Sequence, residues 1–442
     1  MAATVYLLAV LHRTSLGIAG LQAEHRFHTG PGQLSVFVFL QLGVYAAMQI
    51  PTGVLVDRYG PRRLLMVASL VMGSAQLIFA TVAVFPVALL ARALLGCGDA
   101  LTFVSVLRFV ATHFSARRYP LLVALTAMAG TVGSVLATLP LAVVLRHFGW
   151  RDTFGTTALL SLAVAGAVLL FVPGTPRVAG GAVSTRAAAR RHVGSAWSLA
   201  GTRLGFWVHF SSMSTATAFG VLWGGVYLVK GAGFTTEGAG AVLMAGVVGA
   251  ALASPVLGQV IARRPVLRVP ISLIVSIATI TGWTVSVVAF GDHPPQGYVL
   301  ALFLVMMLGG PVSMAAFAIA RDYNPPGTLG TASGLVNVGG FVATIIIAVG
   351  FGALLDIQGA TTAHTLRIAA LVAVSVQAFG VERVTVWLLR VRALALAAQA
   401  RGESFPVYTV RRPWDLAAVP TMDEATLDDA AALVGDASTR PA

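Results

Sequence analysis

The sequence predicts an all-α protein that crosses a membrane twelve times, its helices arranged in two groups of six. Three observations carry this reading. First, the 442 residues are 57% hydrophobic and only 10% charged, whereas a soluble domain carries about 25% charged residues. No soluble core absorbs that much apolar sequence, so lipid is the solvent for most of the chain. Second, apolar runs of about 20 residues recur along its length. Third, the basic residues gather in alternate connections between those runs.

Taken in order, the runs place spans at 2–21, 34–56, 64–85, 87–112, 120–144, 154–173, 205–229, 238–261, 269–290, 298–320, 331–354 and 365–389. A basic segment, 174–204, divides them six and six. The organisation is therefore a first half (1–173), a linker (174–204), a second half (205–389) and a tail (390–442). The connections after even-numbered spans hold fourteen arginines: Arg58, Arg62, Arg63, Arg117, Arg118, Arg177, Arg186, Arg190, Arg191, Arg203, Arg263, Arg264, Arg268 and Arg321. The opposite connections hold five basic residues: Arg26, Arg146, Arg151, Lys230 and Arg367. Cytoplasmic loops carry the excess of Lys and Arg. The arginine-rich side is thus expected in the cytoplasm, with both termini, in a cytoplasmic membrane.

Composition excludes several classes. The net charge of +13 does not indicate nucleic acid, because the arginines are scattered through short loops rather than gathered on a soluble face. Cys97 is the only cysteine and lies in an apolar run, so no disulfide framework is expected. There is no basic region ahead of the first apolar run, and hence no recognisable cleavable signal peptide. No G-x-x-x-x-G-K-[ST] loop is present, so ATP is not expected as the direct driver. His, Cys, Asp and Glu show no metal-ligand or triad spacing; neither a cofactor nor a metal is expected, and a polytopic membrane enzyme is disfavoured. The tail carries Glu403, Asp415, Asp423, Glu424, Asp428, Asp429 and Asp436 and reads as a cytoplasmic extension. A transport-dead sensor signalling through that tail is a further alternative.

One short loop separates the second span from the third: Gly53-Val54-Leu55-Val56-Asp57-Arg58-Tyr59-Gly60-Pro61-Arg62-Arg63. It is too charged to lie in lipid and reads as a tight turn at a membrane face. Its G-x-L-x-D-R-x-G-x-R-R pattern resembles the signature loop of the major facilitator superfamily, matched by Gly53, Leu55, Asp57, Arg58, Gly60, Arg62 and Arg63. The stretch Gly258 to Arg264 after the eighth span echoes it, with Ala262 in place of Asp57. The resemblance implies a solute transporter, monomeric by default, built from two parallel six-helix halves. It also implies that Asp57 latches onto the start of the eleventh span near Gly330, where Gly53 and Gly334 allow close approach. The alternative reading has Asp57 and the arginines fixing topology only.

Ionisable residues at membrane depth usually line a cavity or a pathway. In the fourth span Arg92, Gly96 and Asp99 are spaced to share one helical face. Arg92 to Ala100 resembles the superfamily's R-x-x-x-G-x-G-x-A motif, whose arginine is tied to proton coupling. Arg92 and Asp99 are therefore candidates for proton coupling, against a purely structural pairing. In the first span, His12-Arg13-Thr14-Ser15-Leu16-Gly17-Ile18-Ala19 resembles the D-R-x-x-L-x-x-A pattern of the anion:cation symporter and organophosphate branches. That likeness implies an Arg13 that binds an anionic group, for which an arginine fork suits carboxylate or phosphate. His12 stands where those branches often have Asp. The alternative is an Arg13 paired structurally with Asp99.

Tyr45 and His209 complete the substrate-binding candidates, His209 lying among Ser211, Ser212, Ser214, Thr215 and Thr217. Arg108 is expected to snorkel to the surface, and Glu382-Arg383 to form a near-interface pair. Proton-driven drug or metabolite efflux is the rival reading. Superfamily exporters typically carry G-x-x-x-G-P-x-x-G-G in the fifth span. Ala129 to Ala137 lacks its proline and its closing glycine pair. Pro325-Pro326 ends the tenth span firmly, and the Gly-rich eleventh span is expected to bend and gate.

Overall fold

A computed structural model describes residues 1–28, 31–174 and 186–401. Part of the linker (175–185) and nearly all of the acidic tail (402–442) lie outside the described residues. The first group of helices comprises α1 (Ala2–Phe27), α2 (Pro31–Tyr59), α3 (Pro61–Thr81), α4 (Phe85–His113), α5 (Tyr119–Leu136) and α6 (Leu139–Phe171). The linker contributes α7 (Arg186–Ser198). The second group comprises α8 (Ala200–Gly231), α9 (Thr236–Arg263), α10 (Pro265–Ala289) and α11 (Gln296–Tyr323), then α12 (Leu329–Gln358) and α13 (Ala363–Ala400). The described residues contain no strand. Among the described residues, ten helices are long and apolar enough to cross a membrane. Of the other three, α1 and α2 have 26 and 29 residues, more than the roughly 20 that a bilayer requires, and α7 has 13.

Local departures from the expected spans have local causes. The fifth span runs through α5, turns at Ala137–Thr138, and continues into the start of α6. It ends where Gly149 adopts φ 74°, a left-handed conformation that favours glycine. The tail was expected from residue 390, yet α13 continues to Ala400, because Ala393 to Ala400 is built from strong helix formers. Two π turns, Phe219–Trp223 and Tyr227–Gly231, interrupt α8. α11 breaks near Leu308 and Met314, on either side of Pro311.

Within the first group α3 packs on α4 and α6, α2 on α4, and α1 on α5; within the second, α8 packs on α11, α12 and α13. Two seams join the groups: α2 lies along α12, and α5 along α9. Glycines set the approach. A Cβ on Gly53 of α2 would lie 2.7 Å from the Gly330 carbonyl oxygen, and one on Gly258 of α9 would lie 2.6 Å from the Ala124 side chain.

The buried apolar residues divide by depth. Toward the signature loop, one continuous core draws from both groups, including Leu65, Val104, Leu204, Val208, Phe317 and Val336. Toward the opposite face each group keeps its own core. The first has Phe27, Phe37, Phe79, Trp150 and Phe154; the second has Phe219, Tyr227, Trp283, Phe303 and Phe351. The bundle is therefore sealed across its seam at the arginine-rich face.

Candidate functional site

At membrane depth in the first group, α1 brings Arg13 against Asp99 of α4. Arg13 Nε donates to Asp99 Oδ2 and Arg13 Nη2 to Asp99 Oδ1, both at 2.7 Å. This fork-on-carboxylate geometry is the strongest form of the pair. Asp99 is fully buried, whereas the Arg13 side chain keeps 19% of its exposure. The guanidinium lies 4.5 Å from the centre of the Tyr45 ring on α2, a cation–π distance. Tyr45 in turn meets Phe341 of α12 at 4.8 Å. Arg13, Asp99 and Tyr45 thus form one group facing the second half.

Arg92 lies behind that group. It is fully buried, and its Nη1 and Nη2 reach the His12 and Arg13 carbonyl oxygens at 3.4 and 3.5 Å. It braces the turn of α1 that carries Arg13. Its other neighbour is the Phe79 ring, at 5.1 Å. The glycines of this motif serve different partners: Gly96 lies against the Gln41 carbonyl of α2 and Gly98 against Met72 of α3. His12 points elsewhere. Its Nε2 sits 2.7 Å from Ser161 Oγ on α6, so the pair His12-Arg13 divides between two neighbours.

His209 is fully buried between α8 and α11, its Nδ1 3.4 Å from the Ser313 carbonyl oxygen and its ring 4.9 Å from Phe317. Two contacts near it join α8 to neighbouring helices. Ser212 and Ser272 hydroxyls lie 2.5 Å apart, and Gln377 Nε2 donates to the Ser211 carbonyl. No contact joins His209 to Arg13 among the described residues.

At the sealed face, Asp57 caps α12. Gly330 N donates to its Oδ1, and Thr331 N and Oγ1 donate to its Oδ2, each at 2.8 Å. A carboxylate at a helix N-terminus satisfies orphan N–H groups and meets the positive end of the dipole. Two further groups converge on it: Arg108 Nε at 3.4 Å and His192 Nε2 of α7 at 3.5 Å. Arg108 does not snorkel; it is 5% exposed and turned inward by this carboxylate. Gly60 has φ 80°, which favours glycine at the turn. Arg62 donates to the Leu169 carbonyl at the end of α6. Arg58 lies over the Tyr59 ring, and Arg63 is exposed. Gly334 lies against the Gln49 carbonyl.

Sequence reasoning missed a link between this face and the centre. Asn337 Nδ2 of α12 donates to Gln49 Oε1 at 2.6 Å and to Tyr45 Oη at 3.4 Å. Each amide stands out in an apolar run, but α2 buries Gln41 as well as Gln49, so nothing local names the pair. At the second seam, Arg321 reaches the Phe114 carbonyl at the end of α4 and lies 4.9 Å from the centre of the Tyr119 ring. A hollow of about 680 Å³ at the opposite face is lined by Gln22, His25, Arg26, Ala83, Gly149 and Trp150. Arg26 is engaged there by the Ala80, Thr81 and Val82 carbonyls, as a cation capping a helix C-terminus.

The sequence and the fold have counterparts among known proteins. Residues 2–394 match the family described as Major Facilitator Superfamily. A probable sulfoacetate transporter, SauU of Cupriavidus necator, is 23% identical over 158 residues, which cover 36% of this chain and 37% of that protein. The fold matches that of the proton:xylose symporter XylE with a TM-score of 0.64 at 15% identity, covering 86% of this chain and 93% of XylE. It matches that of the E. coli fucose:proton symporter FucP with a TM-score of 0.61 at 14% identity, covering 86% and 97%. On the match across residues 2–394, the chain belongs to the Major Facilitator Superfamily, a family of multi-pass membrane transporters and not of enzymes.

Proposed function

We propose that this protein is a proton-coupled symporter of a small organic anion, working by alternating access. It sits as a monomer in the cytoplasmic membrane, with the arginine-rich face and both termini inside. The halves 1–173 and 205–389 rock about a site between them, joined by the linker. The observation that carries the reading is the Arg13–Asp99 fork, half-open beside Tyr45.

Asp99 holds Arg13 while it is ionised. An entering anion needs the same guanidinium edge. A proton on Asp99 removes the competing charge and releases the fork to the anion. Anion and proton therefore load together and leave together. Arg92 supports the step by fixing the α1 backbone at Arg13. The latch at Asp57 keeps the cytoplasmic face shut while loading proceeds from outside. The fold likeness to two proton-coupled symporters, XylE and FucP, and the partial likeness to a probable sulfoacetate transporter are in keeping with this scheme.

The test is uptake into proteoliposomes with and without an inward proton gradient, using a panel of labelled organic anions, sugars and cationic drugs. The reading expects accumulation of an anion, abolished by Arg13→Gln. Gradient-driven extrusion of cationic drugs that survives Arg13→Gln would favour the efflux reading instead.

A further inference from the structure

The cation count around Arg13 limits the cargo's charge, an inference that rests on the anion reading above. Only one guanidinium edge is presented: Arg13 keeps 19% exposure, whereas Arg92 is fully buried and directed at α1 carbonyls. Beside Arg13 lies Tyr45 of α2, which packs across the seam on Phe341, with Met213 against that cluster. It carries no cation. In the second half the nearest basic residues in sequence, such as Lys230, Arg263 and Arg321, lie at helix ends. A second anionic group on the cargo would therefore meet aromatic and thioether atoms and no cation, which is strongly unfavourable. Arg92 Nε, fully buried, has no hydrogen-bond partner among the described residues, and Arg92 has no carboxylate within ion-pair distance there.

We propose that the cargo is a monoanion with an uncharged, carbon-rich body: its one anionic group sits on Arg13 and its body lies on Tyr45, Phe341 and Met213. Aromatic rings and a methionine sulfur favour apolar or weakly polar carbon over a second charge. Arg92 acts at a distance, as a buried positive charge behind Arg13 whose field is weakly screened in the bundle.

The experiment is thermal stabilisation of the purified full-length protein by charge-matched series: butanoate, succinate and butanamide; benzoate, terephthalate and benzamide; and sulfoacetate as a compact dianion. The expected result is stabilisation by butanoate or benzoate, at least tenfold weaker for their dianionic partners and for sulfoacetate, and none by the amides. Arg92→Gln should weaken the monoanion about tenfold with Arg13 in place. Succinate, terephthalate or sulfoacetate binding as tightly as the monoanions, with Arg13→Gln abolishing it, would overturn the single-charge inference while leaving the anion reading intact. Stabilisation by no anion of either charge, or equal stabilisation by the amides, would overturn both.

Discussion

Arg13 and Asp99 make a pair whose value lies in being broken. Removing one partner of a buried ion pair leaves an unpaired charge and costs about 3–5 kcal/mol, whereas removing both costs far less. Thermal unfolding should therefore rank Asp99→Asn below the double variant Arg13→Gln/Asp99→Asn, and an equal loss would count against a close pair. Gly60 makes a simpler case. At φ 80° a Cβ costs about 1–2 kcal/mol, so Gly60→Ala should lower the thermal midpoint while anion binding is unchanged. Much of this scale was legible in the sequence. Arg13, Arg92 and Asp99 stood out because charge is rare in apolar runs. The direction of His12 was not legible, since neighbouring helical residues face different partners and only the fold decides which. Arg108 was misread for a related reason: its place near a helix end permitted snorkelling, and the carboxylate that recruits it lies 51 residues earlier in sequence.

Helices are held together here by small residues and a few polar caps, as lipid supplies no hydrophobic drive between them. The α2–α12 seam combines both devices. Gly53 and Gly330 bring the backbones together, and Asp57 then reaches three donors on α12. Asp57→Ala should weaken closure of this face by about 2 kcal/mol, roughly a 30-fold shift in the opening equilibrium. Gly53→Ala should do the same by steric means, since its Cβ would meet Gly330 O and Thr331 Cα at 2.7 Å. Spin labels placed at Arg63 and Arg264, both exposed on that face, in a Cys97→Ser background, would read the change as a longer distance population. Unchanged distances in both variants would reduce Asp57 to a topology signal. The helices were readable from hydropathy, though not the boundaries at α5, α6 and α13, and the partner of Asp57 followed from the signature-loop resemblance. The Asn337–Gln49–Tyr45 link was not, because pairing across 288 residues leaves no local trace.

The whole molecule is sealed at one face and keeps separate aromatic cores at the other. Among the described residues, every hydrogen bond and ring contact between the halves lies at Tyr45 and Phe341 or nearer the arginine-rich face. The loading from the opposite face and the release after latch opening proposed above are consistent with that asymmetry. The all-α, multi-pass class came from composition and periodicity, because a bilayer dictates helix length more strictly than water does. The cargo did not, because one fork of donors fits many anions. The measurement closest to the central claim compares wild type and Asp99→Asn in proteoliposomes, using whichever anion stabilises the protein. It records two quantities side by side: exchange of labelled anion at equal concentrations, and accumulation driven by an inward proton gradient. If Asp99 and the cargo share Arg13, the variant exchanges anion at a rate near that of wild type and accumulates none. If it accumulates anion as wild type does, Asp99 does not carry the proton and the shared-fork mechanism is wrong.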